Sequence, residues 1–128
     1  MGGTGTRRTR DPVPPTIAWR AGTVRLIDQR ALPARLTYLD CATVAQLHNA
    51  VTSLAIRGAP ALGAAGAYGV ALAAHTLPTR RQVHAASRRV ARARPTAVNL
   101  AVGVAHALDA FDAHGARGAL LPVPARTW

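Results

Sequence analysis

Between Thr16 and Leu39 apolar residues recur in short runs. Thr16-Ile17-Ala18-Trp19 and Thr23-Val24-Arg25-Leu26-Ile27-Asp28 flank Arg20-Ala21-Gly22. Two β-rich runs around a Gly-containing turn predict a hairpin. Pro33 then breaks the chain, and Leu36-Thr37-Tyr38-Leu39 supplies a third strand that stops before Asp40. From Thr43 the period lengthens. Thr43-Val44-Ala45-Gln46 fits a capping box, in which the Thr hydroxyl accepts from the Gln46 amide and the Gln side chain reaches back. Val44, Leu47, Val51 and Leu54 then fall on one helical face. A second helix starts with Pro60 as its first residue and continues through the apolar run Ala61 to Ala74.

The capping device returns at Thr79-Arg80-Arg81-Gln82, after Pro78, and opens a helix whose charged face is Arg81, Arg88, Arg89 and Arg92. Arg94-Pro95 ends it, because a residue before proline is pushed out of the helical region. The last helix runs from about Thr96 to Ala113, with Val98, Ala101, Val102, Ala105 and Leu108 facing inward and Gly115 as terminator. The expected fold is α+β: a small antiparallel sheet of about three strands followed by a bundle of about four helices. Residues 1–15, mostly Gly, Thr, Arg and Pro without periodicity, read as a disordered tail; residues 16–114 form the folded domain, and 115–128 an irregular tail.

Composition narrows this picture. At 128 residues the chain suits one domain. Its hydrophobic fraction of 49% is largely alanine, so each buried position contributes little apolar area. The formal net charge of +11 invites a nucleic-acid reading. Against it, every basic residue is Arg and every acidic residue Asp, the usage expected of a codon bias toward G and C. The arginines form no single tract, and base-stacking aromatics are scarce, so no specific nucleic-acid partner is expected. The run Ala61 to Ala74 falls short of the roughly 20 residues that span a bilayer, and no membrane role follows. The arginines near Met1 lead into Asp11-Pro12-Val13-Pro14-Pro15 where an export signal would be apolar, so a cytoplasmic location is expected.

A single cysteine, Cys41, excludes an internal disulfide framework and a multi-thiolate metal site. Before a helix start it could be an activated thiolate; without a base partner it reads as a small core residue. His48, His75, His84, His106 and His114 show no metal-ligand spacing, so no metal is expected. The stretch Arg57-Gly58-Ala59-Pro60 carries the sharpest candidate chemistry. A helix beginning at Pro60 leaves free amides near Gly58 and Ala59, and Arg57 adds a charge able to fork onto a phosphate. The competing reading takes Gly63, Gly66 and Gly69 as small residues that let another helix approach. Both can hold on one helix.

A set of motifs in order bears on that choice: Trp19, Leu26-Ile27-Asp28-Gln29-Arg30-Ala31-Leu32-Pro33, Arg57-Gly58-Ala59-Pro60-Ala61-Leu62-Gly63, Ala67-Tyr68-Gly69-Val70-Ala71-Leu72-Ala73 and Arg94-Pro95-Thr96-Ala97-Val98-Asn99-Leu100. Over residues 16–114 the chain resembles the amino-terminal part of the S-methyl-5-thioribose-1-phosphate isomerases, which are related to regulatory subunits of the initiation-factor exchange complex. The resemblance implies an aldose-ketose isomerase of methionine salvage that takes a sugar-phosphate substrate, uses no cofactor and is a homodimer at full length. It transfers substrate contact to Arg57, Gly58, Ala59 and Arg94. It transfers no catalytic residue, because the family's catalytic cysteine and aspartate lie in a later domain, and Cys41 matches neither. A fragment inactive alone is therefore expected, with the closing LLPVPARTW unlike the family, as a truncated or frameshifted gene gives. The alternatives are a non-catalytic binding module related to the exchange-complex subunits, or an isomerase of ribose 1,5-bisphosphate or deoxyribose 1-phosphate.

Overall fold

The computed structural model describes residues 16–116. The tails expected at 1–15 and over most of 115–128 lie outside the described residues. Three strands, β1 (Ile17–Arg20), β2 (Thr23–Ile27) and β3 (Tyr38–Cys41), are followed by four helices: α1 (Val44–Thr52), α2 (Ala59–Thr76), α3 (Arg80–Ala91) and α4 (Val98–His114). The sheet is antiparallel in the order β1-β2-β3. This is the α+β arrangement the pattern predicts.

The hairpin turns at Ala21-Gly22, pairing Trp19 with Val24 and Ile17 with Leu26. β3 lies two residues later than expected. Val24 pairs with Cys41 and Arg25 with Asp40, and the Arg25–Asp40 ion pair at 2.8 Å holds Asp40 inside the strand instead of after it. Asp40 points outward while its neighbour Cys41 is buried, the alternation a half-buried strand requires. Trp19 stacks on Tyr68 of α2 at 6.4 Å between ring centroids and meets His75 edge-on at 5.8 Å, which seats the hairpin on the longest helix.

Both expected capping boxes form, at Thr43–Gln46 and Thr79–Gln82. In α1 the buried face is Leu47, Ala50 and Val51; Leu54, expected on that face, lies past the helix end and is exposed. The helix ends at Thr52, so the i, i+3 rule stops applying before Leu54 is reached. α2 begins at Ala59, one residue before the expected start, with Pro60 in its second position. α3 ends at Ala91 with Arg92 as C-cap, earlier than the Arg94-Pro95 break. Its arginines at 81, 88, 89 and 92 are all exposed, while Val83, Ala86, Ser87 and Val90 are buried.

The inward face of α4 differs from the expectation. Leu100, Gly103, Val104 and Ala107 are buried; of the expected set, Val102 and Leu108 are half-buried, with Leu108 against the core, whereas Ala101 and Ala105 are exposed and Val98 is 69% exposed. The cause is the crossing with α2, its most extensive partner. A methyl group at Gly103 would overlap the Gly63 carbonyl, and one at Gly66 would overlap the Leu100 carbonyl and stand 3.0 Å from the Val104 nitrogen. Only glycine lets the two backbones come this close, so the glycines select which side of an Ala- and Val-rich helix turns inward. Helix packing by small residues is therefore real here.

Candidate functional site

The same α2 that packs through its glycines presents its first turn to solvent. Gly58 is its N-cap, at φ +94° and ψ 140°, a backbone conformation open to glycine at little cost. No side chain caps this end, and no acidic residue lies in the first turn. α4 starts in the same way: its N-cap, Ala97, offers no side-chain oxygen, and its first turn is also without an acid. α1 and α3, by contrast, satisfy their first amides with Thr and Gln side chains. The unsatisfied amides and the positive dipole end of a helix favour an anion.

Both uncapped starts open onto one depression of about 330 Å³, lined by Gly58, Ala59, Leu62, Arg94, Thr96, Ala97, Val98 and Asn99. Arg94 links the segments leading into the two helices, its Nη1 donating to the Ile56 carbonyl at 3.2 Å. The Arg94 guanidinium is planar with five donors, so this bond leaves others for a ligand. The lining contains no carboxylate, and its one charged group is Arg94. Of the residues that the sequence singles out, the structure brings Gly58, Ala59 and Arg94 together; Arg57 stands immediately before them, exposed, and is not part of the lining. Sequence reasoning misses Thr96 and Asn99. Their hydroxyl and amide add the polar groups that an alanine N-cap lacks.

Over part of their length, the chain matches members of the methylthioribose-1-phosphate isomerase family. No family model matches it, but individual relatives do. It is 42% identical over 105 residues to the methylthioribose-1-phosphate isomerase of Albidiferax ferrireducens, covering 77% of this chain and 30% of that protein. Among solved structures, the translation initiation factor eIF-2B subunit delta of A. fulgidus superposes with a TM-score of 0.72 at 41% identity, over 81% of this chain and 32% of that one. The 5-methylthioribose 1-phosphate isomerase of Pyrococcus horikoshii superposes with a TM-score of 0.68 at 28% identity, over 86% of this chain and 32% of that one. The chain thus spans about a third of the length of the isomerase-family proteins it matches.

Other titratable groups among the described residues lie away from this depression. Cys41 is buried at the end of β3, and burial, with the Asp40 charge beside it, pushes its thiol up from the ordinary range. That is the reverse of an activated nucleophile and fits the core reading. No group of three metal-ligating side chains occurs among the described residues. His84 is the histidine with an unexpected partner. Its Nε2 lies 2.8 Å from Asp112, which also accepts from Arg80 Nε at 3.0 Å. These contacts hold the Asp112 carboxyl below the usual range, His84 contributing first, and tie α3 to α4.

Proposed function

We propose that this chain provides the phosphate-holding surface of an aldose-ketose isomerase that converts 5-methylthioribose 1-phosphate into 5-methylthioribulose 1-phosphate in methionine salvage. Its substrate contacts are Arg57, Gly58, Ala59 and Arg94. The observation that supports this most is the depression in which two uncapped helix starts and Arg94 meet without an opposing negative charge. A phosphate dianion there receives amide hydrogen bonds from the first turn of α2, with Gly58 letting the backbone approach closely, and a charge-assisted bond from Arg94. Arg57 adds its charge from the rim.

The reaction moves hydrogen between the first two sugar carbons, and the phosphate on the anomeric oxygen blocks spontaneous ring opening. The depression holds no carboxylate, thiol or imidazole. Its residues therefore fix the substrate's position, and the proton-moving groups belong elsewhere in a full-length, homodimeric, cytoplasmic enzyme that needs no cofactor. Holding the phosphate contributes by orientation, which converts remote binding energy into alignment of the reacting carbons.

The test is titration of the 128-residue chain with 5-methylthioribose 1-phosphate, followed by calorimetry and phosphorus NMR. Arg94→Ala should weaken binding by about tenfold or more, since a charge-assisted bond contributes roughly 1.5–3 kcal/mol. Ketose formation should stay at the buffer blank. Binding that survives Arg94→Ala unchanged refutes the phosphate seat, and turnover above the blank refutes the placing of the proton-moving groups outside this chain.

A second reading, a non-catalytic binding module, is favoured by the 41% identity to the initiation-factor subunit. It expects stable association with protein partners and blank-level ketose formation in every such assembly. Ketose formation by any of them decides for the isomerase. Selectivity among methylthioribose 1-phosphate, ribose 1,5-bisphosphate and deoxyribose 1-phosphate is not read by the phosphate contacts, which are common to all three.

A further inference from the structure

The outer face of α3 carries a second positive depression, separate from the one at Gly58 and Arg94. Arg80, Arg81, His84 and Arg88 line about 360 Å³. Residues 80, 84 and 88 recur at four-residue spacing and so stand above one another on one face, over a length of about 12 Å. Asp112 accepts from Arg80 and His84 there. Against that one carboxylate stand three guanidiniums, and those of Arg81 and Arg88 make no hydrogen bond among the described residues.

The placement runs against helix stability. Arg80 and Arg81 occupy the first two positions of α3, where the helix dipole is itself positive, and no acidic residue shares that turn. Arg80 and Arg81 are exposed, so core packing does not offset the repulsion; Arg88, in the last turn, extends the same positive face. An anion in the depression would. A guanidinium forks onto two oxygens of one phosphate, and the length of the row accommodates more than one phosphate. The volume lies at the small end of small-molecule sites. No Trp, Tyr or Phe ring lines it, so recognition rests on the phosphates.

The geometry points to a binding site on α3 for a compact polyanion, a ligand carrying two or three adjacent phosphates. The test uses the full 128-residue chain and inorganic tripolyphosphate at constant ionic strength, followed by amide shifts in nitrogen-proton NMR. Shifts should saturate at residues 80–89. Arg81→Gln with Arg88→Gln should weaken this binding by about tenfold or more. Arg92→Gln removes a charge next to the same helix but outside the depression and should change it by less than about twofold. Arg94→Gln should leave the α3 shifts in place, which separates this site from the proposed substrate seat.

Three results overturn the proposal: shifts confined to 57–62 and 94–99, equal weakening by Arg92→Gln, or displacement of tripolyphosphate by oligothymidylates with affinity rising with strand length. The second means diffuse charge only, and the third a nucleic-acid surface. If the double variant loses its dispersed spectrum, Arg88→Gln alone and the parent's shift map give the answer.

Discussion

Replacing Gly103 by alanine sets two effects of opposite sign against each other. In an ordinary helix interior the change is stabilising by about 1 kcal/mol, because glycine loses more backbone entropy on folding. In α4 the new methyl would overlap the Gly63 carbonyl and crowd the Gly63 Cα at 3.1 Å. Neither atom belongs to a side chain that can rotate away, so relief requires the helices to separate by on the order of 1 Å, a gap that forfeits about a quarter to a half of the dispersion energy across the seam. Overpacking of this kind costs about 1–3 kcal/mol, and here Leu100 and Val104, both on the crossing, lose contact as well. With both contact atoms on the backbone the packing cost should lie at the top of that range, exceed the propensity gain and leave a net loss of about 1–2 kcal/mol, equivalent to roughly 4–16 °C in Tm for a domain of this size. Thermal and urea unfolding followed by circular dichroism measure it. Gly66→Ala should behave alike, and the double variant should lose less than the sum, because helices already separated have room for the second methyl. A Gly103→Ala chain as stable as the parent, or more so, refutes the close crossing.

Ser87 is fully buried in α3 and its hydroxyl has no hydrogen-bond partner among the described residues; Ser87→Ala should therefore stabilise the fold by about 1 kcal/mol, read as a higher urea midpoint, and a lower midpoint argues for a bonded hydroxyl. The Asp112 carboxyl is depressed by His84 and Arg80, so its contribution is present above the ordinary carboxylate range near pH 4 and is lost as pH falls through the depressed value. Tm measured from neutral to strongly acidic pH should fall less steeply in Asp112→Asn than in the parent, and identical profiles would count against the contact. Cys41, buried with a raised thiol, should react with a disulfide reagent far more slowly in the native chain than in urea, and equal rates would place it on the surface.

What can be read from the sequence is whatever depends on neighbours in the chain. Thr43 and Gln46, like Thr79 and Gln82, are three residues apart, and both boxes form. The hairpin depends on a turn at Ala21-Gly22 and is equally local. Periodicity gives α4 a partly wrong inward face, with Leu108 packed on the core but Val98, Ala101 and Ala105 exposed, because Ala and Val occur on all its sides and leave the pattern with little contrast. What orients it is the Gly63–Gly103 contact, and nothing local to either glycine names the other. Asp40 reads as a strand terminator as long as its partner across the sheet, Arg25, is unplaced. The link from His84 to Asp112 spans 28 residues and leaves no pattern. At the candidate site, Gly58 and Ala59 follow from helix-start chemistry, but only family resemblance joins Arg94 to them. The structure adds the bond from Arg94 to the Ile56 carbonyl and the two polar side chains, Thr96 and Asn99, that share the depression.

The two readings of the glycine-rich helix depend on each other. Gly63 and Gly66 lie within about two turns of the α2 start, and Leu100 and Gly103 within about two turns of the α4 start. A crossing this close to both beginnings holds both uncapped ends beside one depression, with the Arg94 to Ile56 bond fixing the loops that lead into them. Had the helices crossed near their middles at an ordinary separation of about 8–10 Å, the two sets of free amides would diverge and an anion could contact only one. Small side chains in the second and third turns thus act on the first turn, by setting how near the two positive helix ends can stand. That repulsion between like dipole ends has no acidic side chain to relieve it in either first turn. A bound phosphate is the group that would relieve it, so the packing glycines and the proposed substrate contacts belong to one arrangement.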